Sequence, residues 1–309
     1  MERRQPLRRA PVSAKVLQQA SRIKGSRMGK LALAAKVTHV PSLYLSEQPG
    51  RHHGCREAAI EGHREIGRRA RALGVDTIVV LDVHWLVNAG YHVNCNAHFK
   101  GVYTSHELPH FIKDMAYEYD GNPALGRLIA ATATAAGIFT RAHEVASLEL
   151  EYGTLVPMRY MNADRHFKVF SVAAWCEWHR LEESRRFGAA LREAIERSGS
   201  TVAVLASGSL SHRFNDNGSP EAAMHEISRE FYRQVDLRVV ELWRRGDFKS
   251  FVAMLPEYAE LCRGEGDMHD TAMLLGMLGW DAYDRPVEIV TDYFASSGTG
   301  QINAIFPLA

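Results

Sequence analysis

Three observations predict an α/β fold with a largely parallel central sheet covered by helices on both faces. Residues 31–37 (LALAAKV), 77–83 (TIVVLDV), 167–174 (FKVFSVAA) and 201–205 (TVAVL) are short, nearly unbroken apolar runs. Runs of that kind suit strands buried on both faces. Amphipathic segments of helical length alternate with them, as in βαβ units. No internal repeat, low-complexity linker or composition change interrupts the chain after Met28. One domain, 28–309, is the expectation.

The elements follow in order. Residues 1–27 hold eight Arg or Lys against one acid, Glu2, and no clear apolar core of the kind a secretory signal needs. They are read as a disordered basic extension upstream of a natural start at Met28. The first strand, 31–37, ends at Thr38-His39-Val40-Pro41, and Pro41 forces Val40 into an extended conformation. A loop with His52, His53 and Gly54 leads to a helix over about 55–73, with Ala59, Gly62, Ile66 and Ala70 on its apolar face and Gly74 after its end. The second strand delivers His84 and Trp85. Residues 86–121, mixing Gly, Asn, His and aromatics, read as an irregular connection of a length that is usually functional.

Asn122-Pro123 is an N-cap and N1 pair for a helix running to Gly137. Residues 148–161 contain a turn bracketed by Gly153 and Pro157 and a short helix. An amphipathic helix over 181–198 follows the third strand. The fourth strand breaks at Ser207-Gly208-Ser209 and presents His212. A long helix over about 220–245 carries a core stripe of Met224, Ile227, Phe231, Val235, Val239 and Leu242. A helix over 248–254, the loop Arg263–Gly266, a helix over 268–278, a strand over 287–293 and a tail over 295–306 complete the chain.

Composition narrows the function. Of 309 residues, 46% are hydrophobic and 24% charged, with net charge +1, ordinary for a soluble globular protein. Outside the basic extension 29 basic face 35 acidic residues, so no basic stripe for nucleic acid remains. No run approaches the apolar length of a membrane span. Cys55, Cys95, Cys176 and Cys262 are scattered without a C-x-x-C pair, which fits a reducing cytoplasm. Histidine, at fifteen, is the abundant residue to explain.

His39, His84 and His212 each follow a predicted strand or its end loop. Parallel strands would bring all three to one sheet edge, where α/β folds bind ligands. A lone loop histidine more often bonds a backbone carbonyl; three at one edge suggest a site. Two imidazoles and a carboxylate with open positions opposite form the facial triad of non-haem iron(II) oxygenases, and a catalytic zinc would use the same ligands. The carboxylate candidates are Glu265, between two glycines, and Asp270, for which capping of a helix start is the simpler role. Gly208-Ser209-Leu210-Ser211-His212 departs from the nucleophile elbow G-x-S-x-G at its last position, which argues against a serine triad. Gly298-Thr299-Gly300 lacks a following helix and reads as a turn.

The segments Lys36–Ser42 (KVTHVPS), Leu81–Trp85 (LDVHW), Glu149–Met158 (ELEYGTLVPM), Ala206–Arg213 (ASGSLSHR) and Gly264–Gly266 (GEG) together resemble the class III extradiol ring-cleaving dioxygenases. The resemblance runs from Met28 to the C-terminus. It implies extradiol opening of a catechol by O2, with Fe(II), or alternatively Mn(II), held by His39, His84 and a carboxylate placed at Glu265, with Asp270 competing. It implies that His212 is an acid/base outside the metal's ligands. Many members carry Asp-His-Gly where this chain has Glu151-Tyr152-Gly153. Tyr152, or nearby His143, is therefore the candidate for the missing second proton-handling histidine. An acidic ring substituent would need a cationic or polar anchor, for which Arg213 and Arg159 are candidates beside solvated surface roles. A homo-oligomer without nucleic-acid or membrane partners is expected, and a zinc-dependent hydrolase on the same scaffold is the alternative.

Overall fold

The computed structural model describes residues 28–214 and 223–308. The basic extension 1–27 lies outside the described residues, as do 215–222. Four parallel strands form the centre of an eight-stranded sheet: β1 (Lys30–Val37), β2 (Thr77–Asp82), β7 (Lys168–Ala174) and β8 (Thr201–Ser207). They adjoin in the order β7-β2-β8-β1, and nearly every residue in them is buried. The apolar runs are thus explained by helices on both faces.

The helices are α1 (Ser42–Glu47), α2 (Glu57–Ala72), α3 (Pro123–Ala135), α4 (Tyr152–Met161), α5 (Leu181–Arg197), α6 (Glu230–Arg245), α7 (Phe248–Leu261) and α8 (His269–Leu278). Helix α3 starts as the sequence predicts, with the Asn122 side chain accepting from the Leu125 amide at 3.2 Å and Pro123 at N1. Helix α7 runs past Met254 through Pro256. Helix α6 begins at Glu230, so Met224 and Ile227 are not on it, and 220–222 are outside the described residues. Its buried face holds Tyr232, Asp236, Val239 and Trp243, while Phe231 is exposed.

The connection 86–121 is not irregular. It contains β3 (Tyr91–Asn94), antiparallel to β7, and an antiparallel hairpin of β4 (His98–Tyr103) and β5 (Met115–Asp120). The hairpin buries Phe99, Tyr103, Met115, Tyr117 and Tyr119 and leaves the alternate positions largely exposed, a period-two pattern carried by aromatics. Strand β6 (Thr140–His143) pairs with β3 at one edge of the sheet. At the other side, β9 (Glu288–Ser296) pairs with β10 (Thr299–Ile305), and β10 pairs antiparallel with β1.

Strand β10 corrects the reading of 295–306 as a tail. It is buried throughout, although Thr299, Gln301 and Asn303 are polar. The Thr38 hydroxyl donates to Gln301 Oε1 at 2.6 Å, and Asn303 Oδ1 accepts from the Thr38 amide at 3.0 Å. The polar side chains of β10 thus meet the backbone and side chain of the segment leaving β1, which makes their burial tolerable.

Helices α5 and α8 meet backbone to backbone. A Cβ on Gly188 would stand 2.0 Å from the Met273 carbonyl oxygen, and one on Gly276 would stand 2.1 Å from that of Arg185. Gly276→Ala is expected to destabilise the chain by about 1–3 kcal/mol through overpacking. A lower urea midpoint with unchanged slope would show it, and an unchanged midpoint would contradict the close approach.

Candidate metal centre

Neighbouring strands β1, β2 and β8 run parallel, so their carboxyl ends deliver His39, His84 and the 207–212 segment to one edge. His39 is 3% exposed. Its Nδ1 lies 2.9 Å from Ser207 Oγ, and that hydroxyl donates onward to the Gly153 carbonyl. The serine oxygen must therefore accept from Nδ1–H, leaving the Nε2 lone pair for a metal. Buried His63 holds the preceding residue, its Nε2 lying 2.9 Å from the Thr38 carbonyl oxygen.

His84 follows a tight turn in which its amide donates to Asp82 Oδ1 at 2.8 Å. Asp82 is itself buried, and its other oxygen accepts from Thr154 Oγ1 at 2.6 Å. A Cβ on Gly153 would stand 2.2 Å from Asp82 Oδ1, so only glycine admits this contact.

Glu265 enters from the loop before α8. It is followed by Gly266, Asp267 and Met268, all at positive φ (52°, 49° and 63°). Two of these three are not glycine, and such strain persists where the surroundings over-determine a functional loop. Glu265 Oε1 lies 2.7 Å from His39 Nε2 and 2.9 Å from His84 Nε2, and Oε2 accepts the Ser209 amide. Burial would raise the carboxyl pKa, but the facing His39 and His212 outweigh it and hold the group well below the usual range. Burial pushes His84 down, and its bond to Glu265 more than reverses that.

One donor atom from each of His39, His84 and Glu265 lies within 4.8 Å of the others. Donors about 2 Å from one metal ion stand about 3 Å apart, so these residues fit a divalent ion. Asp270 belongs elsewhere. Its carboxylate pairs with the fully buried Lys36 ammonium and accepts from the Thr271 amide at 2.6 Å.

His212 stands back from the three donors. Its Nδ1 is 2.9 Å from Ser209 Oγ and 3.5 Å from Glu265 Oε2, and burial lowers its pKa. The residue lines a small, partly open cavity together with the three donors, Tyr152, Leu108, Phe111, Phe214 and a polar wall of Ser296, Ser297, Thr299 and Gln301. The Tyr152 ring packs against the His84 ring at 3.9 Å, tilted by 37°, and meets His39 edge-on at 5.4 Å.

Three sequence candidates are not brought to this cavity. His143 bonds His92, Nε2 to Nδ1 at 2.8 Å, and lines a separate cavity beside Trp85. Arg159 pairs with Glu47 and lies over the Tyr44 ring at 4.9 Å, in a cleft beside the β4–β5 hairpin. Arg213 is exposed and absent from the cavity lining. The residues that sequence reasoning missed, Ser207, Ser209 and the polar side chains of β10, act through contacts far apart in the chain. The two serines flanking Gly208 were the only local sign.

Asp236 secures the His212 segment from behind. Buried in α6, it accepts from Ser211 Oγ at 2.7 Å, Tyr258 OH at 2.7 Å, Tyr293 OH at 2.9 Å and the Ser211 amide at 3.2 Å. Ser211 in turn bridges to Gly264, beside Glu265.

Donors of this type at the carboxyl edge of this sheet would hold a divalent metal ion, as in metal-dependent enzymes. The chain belongs to the family described as the catalytic LigB subunit of aromatic ring-opening dioxygenase, whose pattern matches residues 33–307. It is 63% identical over 260 residues to a 3,4-dihydroxyphenylacetate 2,3-dioxygenase of Escherichia coli, spanning 84% of this chain and 94% of that protein. A 2-aminophenol 1,6-dioxygenase beta subunit of Pseudomonas sp is 26% identical over 236 residues, spanning 72% and 77%. An uncharacterized protein, JW3007, of Escherichia coli K12 shares the fold at TM-score 0.56 and 15% identity, over 91% of this chain and 100% of that one. Membership bears out the class III extradiol resemblance.

Two predictions follow from the geometry. His39→Ala, His84→Ala and Glu265→Ala should each lose stoichiometric metal after dialysis, measured by elemental analysis. Asp270→Asn should keep the metal but destabilise the fold by about 3–5 kcal/mol, because Lys36 would lose its buried counter-charge. Metal loss in Asp270→Asn with retention in Glu265→Ala would reverse the ligand assignment.

The second concerns pH. Burial raises Asp236 from 3.8 to about 6 despite its hydrogen bonds. The folded chain then binds more protons than the unfolded one between these values. Its contribution is therefore favourable below about pH 4 and lost as pH rises through about 6, an effect of about 3 kcal/mol. The stability advantage of the unmodified chain over Asp236→Asn should shrink by about that amount between pH 4 and 7 in urea titrations. A gap independent of pH would contradict this.

Proposed function

We propose that the chain opens 3,4-dihydroxyphenylacetate by extradiol 2,3 cleavage with O2, giving 5-carboxymethyl-2-hydroxymuconate semialdehyde. Fe(II) is the metal we assign, with Mn(II) compatible with the same donors. The observation that carries the reading is the His39–His84–Glu265 cluster opening into a cavity that also holds His212, in a chain 63% identical to a dioxygenase of that name. Metal bound there supplies one centre at which catechol oxygens and O2 meet.

The protein's own groups do the rest. His212, kept neutral by burial, accepts a catechol proton and returns it to a cleaving oxygen later in the cycle. Ser209 Oγ, at its Nδ1, fixes the ring's orientation. Leu108, Phe111 and Phe214 provide apolar walls that exclude water around the aromatic ring. Among the described residues, no Lys or Arg lines the cavity. The hydroxyl and amide wall of Ser296, Thr299 and Gln301 is therefore the anchor we assign to the acetate, in place of Arg159 and Arg213.

We assign the described residues 28–308 to one catalytic domain and the chain to the cytoplasm, in keeping with four free cysteines. A homo-oligomer is our working assembly.

Iron-loaded protein should consume one O2 per 3,4-dihydroxyphenylacetate and form a yellow product, followed by oxygen electrode and visible absorption. His212→Phe should lower kcat by about 10²-fold or more while metal content is retained. No product from any catechol with iron or manganese, together with bound zinc, would overturn the reading in favour of a hydrolase.

A further inference from the structure

We propose that Glu107 ends a proton exit from the cavity, receiving through the Tyr152 hydroxyl a proton that a bound catechol gives up. The inference rests on the ring-opening reading and deepens it. Binding a catechol through both oxygens releases as many as two hydroxyl protons, and His212 has one vacant nitrogen to take one. A second proton needs another acceptor.

Tyr152 lines the cavity yet is only 4% exposed. Its ring is packed over His84 and edge-on to His39, which holds the hydroxyl in one place. That hydroxyl donates to Glu107 Oε2 at 3.2 Å. The phenol oxygen therefore points its own proton away from the donors and offers only lone pairs to a ligand. Tyr152 thus meets a catechol as an acceptor, and not as the donor that replacement of a protonated histidine suggests.

Glu107 lies 45 residues from Tyr152, on the β4–β5 connection. Leu108 and Phe111 of the same connection wall the cavity, while Glu107 itself is exposed. The carboxylate joins the buried phenol to water. The transfer balances in one concerted step. An O–H bond of the catechol breaks and one forms at the Tyr152 oxygen. The original Tyr152 O–H bond breaks and one forms at Glu107. Tyr152 ends neutral, as it began, and the Glu107 carboxylic acid then loses its proton to solvent.

The test mixes metal-loaded protein with 3,4-dihydroxyphenylacetate without oxygen, in weak buffer, following near-ultraviolet catecholate absorption and proton release to a pH dye. Glu107→Gln should bind metal normally and form the catecholate about tenfold or more slowly. Added formate should restore the rate in Glu107→Gln, because a small carboxylate can take the vacated place. Tyr152→Phe should be slowed and stay slow with formate. Equal rates in Glu107→Gln and the unmodified chain, or slowing that formate does not relieve, would overturn the relay while leaving the ring-opening reading intact. No catecholate signal in the unmodified chain would overturn both.

Discussion

A carboxylate buried beneath the carboxyl ends of three strands is the constraint on which the site depends. An ionised group that is 4% exposed is expensive unless every lone pair has a partner. Glu265 Oε2 has the Ser209 amide, and Oε1 faces His39 Nε2 and His84 Nε2, so a metal ion held among the three would complete its partners. Beneath it lies a second buried charge pair, Lys36 and Asp270. Gly208 separates the two. A Cβ there would stand 3.0 Å from Asp270 Oδ2, 3.1 Å from Lys36 Nζ and 3.5 Å from Glu265 Oε2. The glycine thus lets two anions and one cation share a small interior space.

Topology makes this arrangement possible. Parallel strands β1, β2 and β8 place three chain exits side by side, and each exit is pinned by a contact from a distant element. Gln301 and Asn303 of β10 hold Thr38 before His39. Thr154 of α4 holds Asp82 before His84. Asp236 of α6 holds Ser211 before His212. The donors are thus carried on loop ends whose preceding residues belong to the rigid core, which is how a site gains precision from a scaffold. The strained 266–268 turn completes it from the opposite side.

The central strands, the cap of α3 and the positions of His39, His84, His212 and Glu265 were legible because each leaves a local mark. A strand between two helical layers is apolar throughout, and a site residue at its end stands beside Gly, Ser or Pro. The β4–β5 hairpin was not legible, because its alternation is carried by tyrosines among polar neighbours. Strand β10 was hidden for a related reason: Gln301 and Asn303 are buried only because Thr38 and α2 supply their partners, and Thr299 because Ser296 and Gln301 do. The arginine anchors failed because Arg159 is drawn into a different cleft by Glu47 and Tyr44.

By itself, the sequence determined the α/β class, the strand ends that carry imidazoles and the ring-opening family. These depend on periodicity and on short motifs, which are local. Only the tertiary structure sets Glu265 against His39 and His84 and Asp270 against Lys36, since both carboxylates lie in or beside one loop and differ in what the fold brings to face them. It also decided that Tyr152 turns its proton toward Glu107, because a hydroxyl's direction is set by whichever acceptor the fold brings to it.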